Sequence, residues 1–254
     1  MKNVFTFLLL LFSLLCNGQS PKLFTTDKEL SSSLINQIYQ DRNGFIWIAT
    51  EDGLNRYDGA KFTIYKHEPN NEHSLAHNFV RTVFEDSKGH LLIGTYIGIQ
   101  MYDPATDNFT PLAKLEDTGE TLESNINSFI ERKNGEIWVS GNVLCKLDIK
   151  DHLLTVRKVD IAVTSPGSLF EDKKQNVWMA KGEEGVYQLT PDNQLTLHLS
   201  KDNGYVKSIC EDQRGNIYVG SIRKGLFIYD KERKTFVPVD LKEKGELPLF
   251  RYTQ

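Results

Sequence analysis

The sequence has few cysteines, no excess of basic residues and little apolar sequence beyond its N-terminus. Three cysteines in 254 residues do not support a disulfide framework. The 30 basic and 34 acidic residues are interspersed and give a net charge of −4. Because binding to nucleic acid requires clustered positive charge that neutralises phosphates, we expect no nucleic-acid partner for this segment.

Motifs for catalysis are also missing. We find no G-x-S-x-G elbow, no P-loop and no G-x-G-x-x-G after a strand. His67, His73 and His77 lie close together, but in a polar segment without the rigid frame that a metal site needs, so we predict no metal and no cofactor. A pair of carboxylates meeting across the fold, as in glycosidases, stays open, although nothing selects a pair. The chain is therefore not predicted to be an enzyme.

The N-terminus has the pattern of a secretory signal peptide. Lys2 precedes the apolar run Phe5–Leu15, which has 11 residues, whereas a membrane span needs about 20. We predict a signal peptide over 1–18, cut after Gly18, and an N-terminal lead-in over 19–30. A lipoprotein signal that uses Cys16 is the alternative, although Leu15 stands where a small residue is required. No later stretch is predicted to span a membrane, so the mature protein is expected to be exported.

Once Cys16 leaves with the signal peptide, Cys145 and Cys210 remain. Both have apolar neighbours and fall in different repeats of the chain described next. They are predicted to be buried thiols without a disulfide partner.

One sequence motif occurs five times along the chain. The residue at its first turn recurs in steps of 45, 46, 40 and 40 residues, at Gly44, Gly89, Gly135, Gln175 and Gly215. The five copies are Gln37–Asp58, Thr82–Asp103, Ser128–Asp148, Ser168–Thr190 and Ser208–Asp230. Short strands at a period of about 40 to 50 residues are typical of β-propeller blades. We therefore predict an all-β fold with four-stranded antiparallel blades.

The repeat boundaries predict a partial β-propeller over 31–254. The repeats cover about 31–68, 74–113, 122–158, 164–199 and 204–240, and an incomplete sixth covers 246–254. Five units are enough for a small ring, but the start of a sixth favours an open arc of a seven-bladed propeller. Because an open arc leaves strand edges unpaired, the isolated chain is expected to be poorly soluble.

Several residues recur at fixed positions of each repeat and are predicted to be scaffold. A large residue in the second strand, expected to pack one blade against the next, is Trp47, Leu92, Trp138, Trp178 or Tyr218. An aspartate begins the first turn at Asp41, Asp86, Asp172 and Asp212. The glycines of the same turn are Gly44, Gly89, Gly135 and Gly215. Occurrence once per blade favours this structural role over sugar binding, catalysis or calcium binding.

The loops between the second and third strands vary most from repeat to repeat. They share one end of a propeller with the links between blades, where recognition residues are commonly found. The predicted ligand contacts are Glu51, Asp52, Tyr96, Glu183, Arg223 and Lys224. We interpret the channel-facing positions as uniformly apolar, which counts against an enzyme.

The amino-acid sequence of the first repeat indicates a particular family, which the repeat period alone does not. SLINQIYQDRNGFIWIATEDGLNRYDG at Ser33–Gly59, followed by FTIYKH at Phe62–His67, closely resembles the two-component regulator propeller repeat of hybrid sensor histidine kinases, typically of Bacteroidetes. The resemblance extends from Ser31 to about Asp240. It implies the periplasmic sensor region of a protein anchored in the inner membrane. It further implies two seven-bladed propellers and a β-sandwich, then a membrane span, a kinase, a receiver and often a DNA-binding domain.

The resemblance also implies a function. Such sensors respond to oligosaccharides, and a homodimer of the full ectodomain passes the signal to a phosphorelay that controls polysaccharide-utilisation genes. No kinase, receiver or DNA-binding motif is present in these 254 residues, so the chain is expected to be a truncated product, a gene fragment or the opening of a longer sensor. The alternatives are an exported propeller scaffold or adhesion protein, and a propeller lyase or glycosidase.

Overall fold

The computed structural model describes residues 23–26, 29–199 and 204–239. The predicted signal peptide, Cys16 and the incomplete sixth repeat at 246–254 lie outside these residues. Every regular element in the described ranges is a β-strand. No helix there is long and apolar enough to cross a membrane.

The described strands form five sheets, and within each sheet consecutive strands pair antiparallel. The first contains β1 (Ile35–Gln40), β2 (Ile46–Thr50), β3 (Gly53–Tyr57) and β4 (Phe62–Tyr65), and the second β5 (Val80–Glu85), β6 (Leu91–Thr95), β7 (Ile99–Asp103) and β8 (Asn108–Phe109). After β9 (Lys114–Leu115), the third contains β10 (Ser128–Glu131), β11 (Ile137–Ser140), β12 (Leu144–Lys150) and β13 (Leu153–Lys158). The fourth contains β14 (Leu169–Glu171), β15 (Val177–Lys181), β16 (Gly185–Leu189) and β17 (Leu195–Leu199), and the fifth β18 (Val206–Glu211), β19 (Ile217–Ser221), β20 (Gly225–Asp230) and β21 (Thr235–Pro238). The predicted all-β fold with four-stranded antiparallel blades is confirmed, whereas the seven-bladed ring stays a prediction.

The links between sheets are more ordered than their polar sequences indicate. Lys114 and Leu115 form β9, which pairs parallel to β13 opposite Thr155 and Val156. This pairing adds a fifth strand to the third sheet and covers part of the edge that β13 would otherwise present. In the link before β5, Leu75 is fully buried. These two links thus pack along their sheets.

The apolar cores lie between sheets. Four clusters of buried apolar residues occur, and each joins two consecutive sheets. In the first cluster Trp47 packs with Val83 and Ile93 of the second sheet, and in the last Trp178 packs with Ile209 of the fifth. Because a sheet buries both faces in this arrangement, the inner strands have nearly continuous apolar runs.

One face of the first sheet has no sheet packed against it in the described ranges. Four equivalent residues in the first strands of the later sheets are between 1% and 8% exposed: Val83, Phe129, Leu169 and Ile209. Ile38, at the same position of β1, is 61% exposed. Phe24 covers another part of this face, with its ring centroid 5.2 Å from that of Tyr57 and 5.0 Å from that of Phe62. Among the described residues, the N-terminal lead-in thus covers part of this face of the first sheet.

Candidate functional site

The aspartate of the first turn connects that turn to the aromatic residue of the second strand. Asp172 Oδ1 accepts hydrogen bonds from the backbone N–H of Lys174 and Asn176 at 2.8 and 2.9 Å. Its Oδ2 accepts one from Trp178 Nε1 at 2.9 Å. Asp41 is bound in the same way, with Trp47 Nε1 at 2.8 Å. Because both carboxylates are buried and accept several donors within their own repeat, they are poorly placed to act on a ligand.

The third repeat replaces this aspartate with Arg132. Trp138 Nε1 donates instead to Glu136 Oε2 at 3.1 Å, and the Arg132 guanidinium lies 4.6 Å from the Trp138 ring centroid. Lys146 Nζ approaches Glu136 Oε1 to 2.5 Å. The hydrogen bond from Lys146 is the largest influence on Glu136 and, against an opposing effect of burial, lowers the pKa of this carboxyl to about 2. In the third repeat, Glu136 thus takes the place of the aspartate as acceptor for the Trp138 indole, and Lys146 holds this glutamate in its ionised form.

The glycine position of the same turn requires a left-handed backbone. Gly44, Gly89, Gly135 and Gly215 have φ between 80° and 94°. Gln175 occupies this position in the fourth repeat with φ of 67°. A residue with a Cβ is strained in this region, so Gln175 carries a local cost that the other repeats avoid.

Hydrogen bonds between neighbouring sheets are formed at the end of the molecule where these turns lie. The glutamate that ends the first strand accepts a backbone N–H from the turn of the preceding sheet at 2.7 to 2.8 Å. The pairs are Glu85 with Arg42, Glu131 with Ser87 and Glu171 with Lys133. Because these carboxylates bind neighbouring sheets, they are poorly available to a ligand. The opposite end of the molecule is therefore the better candidate for a ligand site.

The six loop residues predicted to contact a ligand lie at that opposite end, in the turns after the second strands of four sheets. Asp52, next to Glu51, forms an ion pair with Lys66 at 2.6 Å and accepts a hydrogen bond from Asn78 at 3.1 Å. Glu183, Arg223 and Lys224 are exposed in the turns of the fourth and fifth sheets.

Tyr96 is 54% exposed in the turn between β6 and β7. Its ring centroid lies 5.5 Å from that of His77 and 6.1 Å from that of Phe79. Within the described part of the chain no hydrogen bond, ion pair or ring contact joins the predicted loop residues of one sheet to those of another. Their role in binding stays a prediction.

A cavity of about 300 Å³ opens at the same end, where the first strands of all five sheets come together. We call it the channel mouth. It is lined by Asn36, Gln37, Arg81, Thr82, Asn127, Ser128, Ser165, Gly167, Ser168, Gly182, Tyr205, Val206 and Lys207. Most of these side chains are polar, so the expectation of apolar channel positions is wrong.

β-Bulges explain how polar residues reach the channel from otherwise apolar strands. The pairing register shifts around Asn36 in β1, around Arg81 in β5 and around Lys207 in β18. A bulge inserts one extra residue and changes the direction of its side chain. Strict alternation along these strands therefore misassigns the residues at their beginnings.

Side-chain amides and hydroxyls connect neighbouring first strands around the channel mouth. Asn36 Nδ2 donates to the carbonyl oxygen of Val80 at 2.8 Å, and Asn127 Nδ2 donates to that of Pro166 at 3.0 Å. Gln37 Oε1 accepts from the Val83 backbone N–H at 2.7 Å. The channel mouth is thus held in shape by the same residue types that line it.

The charge of the channel mouth is positive. Its charged residues are Arg81 and Lys207, and none of the described lining residues is acidic, a histidine or a cysteine. Arg81 Nη1 donates to Asn127 Oδ1 at 3.1 Å, while its Nε is buried without an acceptor. The lining therefore offers hydrogen bonds and positive charge, whereas the histidines and carboxylates that most often transfer protons do not occur among its described residues.

Sequence reasoning missed these residues, although a signal exists. Two adjacent small or polar residues recur at or just before the start of each first strand, at 36–37, 81–82, 127–128, 167–168 and 207–208. They read Asn-Gln, Arg-Thr, Asn-Ser, Gly-Ser and Lys-Ser. A comparison of repeats position by position reveals this pattern, whereas the period of the repeat does not.

The described residues show neither a metal-binding cluster nor a disulfide. They contain no group of three or more histidine, cysteine or acidic residues that could hold a metal ion. Cys145 is buried and Cys210 half-buried, and neither forms a disulfide. Burial raises the pKa of the Cys145 thiol to about 11, so this thiol is a weak nucleophile at neutral pH.

Comparison with known proteins agrees with the fold. The extracellular domain assigned to the hybrid two-component system BT4673 of B. thetaiotaomicron superposes with a TM-score of 0.70 at 18% identity, over 86% of this chain and 32% of that domain. Virginiamycin B lyase from Staphylococcus aureus gives a TM-score of 0.62 at 13% identity, over 86% of this chain and 72% of the lyase. At these identities the similarity establishes the β-propeller fold alone.

Sequence comparison is more specific but covers less of the chain. Histidine kinase P4 of Formosa agariphila is 37% identical over 83 residues, which are 30% of this chain and 6% of that kinase. The chain therefore spans a small part of this relative and about a third of the superposed extracellular domain. The family model for the two component regulator propeller matches residues 29–52, 74–96 and 200–223. Three of the five repeats of this chain thus match the two component regulator propeller repeat.

Proposed function

We propose that this chain is the periplasmic ligand-sensing region of a hybrid two-component system and that it binds an oligosaccharide at the channel mouth. The observation that carries the proposal is the convergence of polar first-strand residues from all five sheets on one cavity. The family match and the similarity to a histidine kinase support a role in signalling.

The chemistry of the channel mouth suits a sugar. Amide and hydroxyl side chains both donate and accept hydrogen bonds, as sugar hydroxyls do. The Tyr205 ring, which is 46% exposed, offers a flat surface for the C–H face of a sugar ring. The cavity volume of about 300 Å³ lies at the small end of ligand sites. We therefore expect a short oligosaccharide, or the end of a longer one.

Binding at this position has a mechanical consequence. A ligand that contacts the first strands of several sheets favours the arrangement in which those strands are correctly spaced. Such a preference shifts the population of two arrangements of the ectodomain, and a dimer of the complete sensor would pass this shift to a kinase across the membrane.

Binding is favoured over catalysis by the residues at the channel mouth. The solved virginiamycin B lyase is a catalytically inactive variant in which a histidine is replaced by alanine, so that enzyme depends on a histidine. The described lining of the channel mouth contains no histidine. A lyase of that type therefore receives no support here, even though it shares the fold.

Two matched tyrosine variants test the location of the site. The purified protein is titrated calorimetrically with a panel of neutral and acidic oligosaccharides of two to six sugars. If one binds, Tyr205→Ala is expected to weaken binding about tenfold or more. Tyr96 is similarly exposed but lies in a loop, so Tyr96→Ala should leave binding unchanged. The reverse result would place the site in the loops. Absence of binding across the whole panel would overturn the proposed function.

A further inference from the structure

Two cations converge on the channel mouth without a carboxylate to neutralise them. Arg81 and Lys207 both line the cavity, and both stand on β-bulges of first strands. Neither forms an ion pair with any described residue, although most other arginines of the described ranges do. Unpaired positive charge inside a concave polar site attracts anions, since the cavity concentrates the field.

Arg81 is held in place by groups that leave its charge intact. Its guanidinium carbon lies 5.6 Å from the Phe79 ring centroid, and Nη1 donates to the neutral amide of Asn127 at 3.1 Å. One of its five N–H donors is used in this bond, and an arginine remains protonated at any physiological pH. A fixed and unneutralised guanidinium is suited to the bidentate recognition of a carboxylate or sulfate.

Two of the four acidic residues in the turns at this end, Asp52 and Glu184, are paired with lysines. Asp52 forms an ion pair with Lys66 at 2.6 Å, and Glu184 with Lys181 at 2.8 Å. The remaining acids of these turns, Glu51 and Glu183, are matched in number by Arg223 and Lys224 in the turn of the fifth sheet, and none of the four lines the cavity. The whole chain has a net charge of −4, so a positive channel mouth runs against the overall charge of the protein.

We infer that the channel mouth selects an anionic saccharide, whose carboxylate or sulfate contacts Arg81 while Lys207 adds a second positive charge. This inference rests on the proposed function and narrows it from oligosaccharides in general to uronate-containing or sulfated ones. The sugar ring stacks on Tyr205, which lies beside Lys207 at the edge of the same cavity.

The test compares charged sugars with counterparts of the same backbone from which one kind of anionic group has been removed. The purified protein is titrated with tetragalacturonate and its methyl ester, with an alginate tetramer, and with a chondroitin sulfate tetrasaccharide before and after desulfation. Neutral malto-, xylo- and galacto-tetraose complete the panel. We expect binding to be confined to charged members, and to weaken as NaCl is raised from 20 to 200 mM. Loss on desulfation would indicate sulfate recognition, and loss on esterification would indicate carboxylate recognition.

Charge-removing variants test the residues. Arg81→Gln and Lys207→Gln are each expected to weaken binding of the charged sugar about tenfold or more. The control Arg157→Gln, on the exposed face of β13, leaves binding unchanged. Lys207 is exposed, so its variant reports on binding even if Arg81→Gln disturbs the fold, which circular dichroism checks.

The outcomes separate the two proposals. Equal affinity for a charged sugar and its neutral counterpart, or full affinity in both Gln variants, would overturn the inference while leaving oligosaccharide sensing intact. Failure of every sugar to bind would overturn both.

Discussion

Truncation of one isoleucine in two equivalent positions tests whether the sheets are held together by their interfaces. Ile209 in β18 is 8% exposed and packs in the cluster between the fourth and fifth sheets. Ile38 occupies the same position of the repeat in β1 and is 61% exposed. The substitutions Ile209→Ala and Ile38→Ala remove the same atoms, so they differ only in what surrounds the side chain.

The structure sets the expected magnitudes. Replacement of isoleucine by alanine removes three carbon atoms, worth about 0.8 kcal/mol each when buried. With the cavity that remains, Ile209→Ala should lower the free energy of unfolding by about 2 to 5 kcal/mol. Less than half of the Ile38 side chain is buried, so Ile38→Ala should cost about 1 kcal/mol or less.

Urea unfolding followed by tryptophan fluorescence measures the difference, since Trp178 packs in the same cluster as Ile209. At a slope of about 3 kcal/mol per molar urea, the midpoint should fall by about 1 M for Ile209→Ala and by much less for Ile38→Ala. Equal losses in the two variants would contradict this reasoning. They would show that the open face of the first sheet is covered in solution.

Three further substitutions test the turns. Asp172→Ala leaves two backbone N–H groups and the Trp178 indole without their acceptor, so the free energy of unfolding should fall by about 3 kcal/mol or more, whereas Asp58→Ala in an exposed turn should change the urea midpoint little. Gln175→Gly relieves a positive φ and should raise the free energy of unfolding by about 0.5 to 1 kcal/mol in the same assay. Glu136 has a folded-state pKa lowered from 4.5 to about 2, so its ionised form stabilises the protein above pH 4.5 and this contribution is lost as the pH falls towards 2. Glu136→Gln should therefore cost about 1 kcal/mol at pH 7 and nothing near pH 2, as thermal melts across this range would show, and a loss independent of pH would contradict the role of its charge.

The fold was readable from the sequence because each repeat carries its own turn signals. An aspartate, a glycine and a large aromatic at fixed spacing predict a hairpin whose second strand packs between sheets, and Asp41, Gly44 and Trp47 do so. The third repeat departs from this pattern at Arg132, and the compensation by Glu136 follows only from their proximity in the structure. The turn residues of each repeat therefore predict its sheet. A change such as Arg132 with Glu136, in which a second residue takes over the role of the first, becomes evident only in the structure.

The channel mouth was not predicted from the sequence, and the reason is physical. Alternation along a strand separates its two faces, but it fails where a bulge inserts a residue, as at Asn36, Arg81 and Lys207. The loops were correctly placed at one end because the antiparallel register puts Thr95 beside Val80, and so the following turn beside the start of β5. The convergence of five such strand starts on one cavity is a property of the assembled sheets.

A crystal structure with a bound saccharide from the titration panel tests the central claim most directly. The account predicts sugar density in the channel mouth, with an anionic group within hydrogen-bond distance of Arg81 and a ring against Tyr205. Density confined to the turns around Tyr96 or Arg223, with an empty channel mouth, would contradict it.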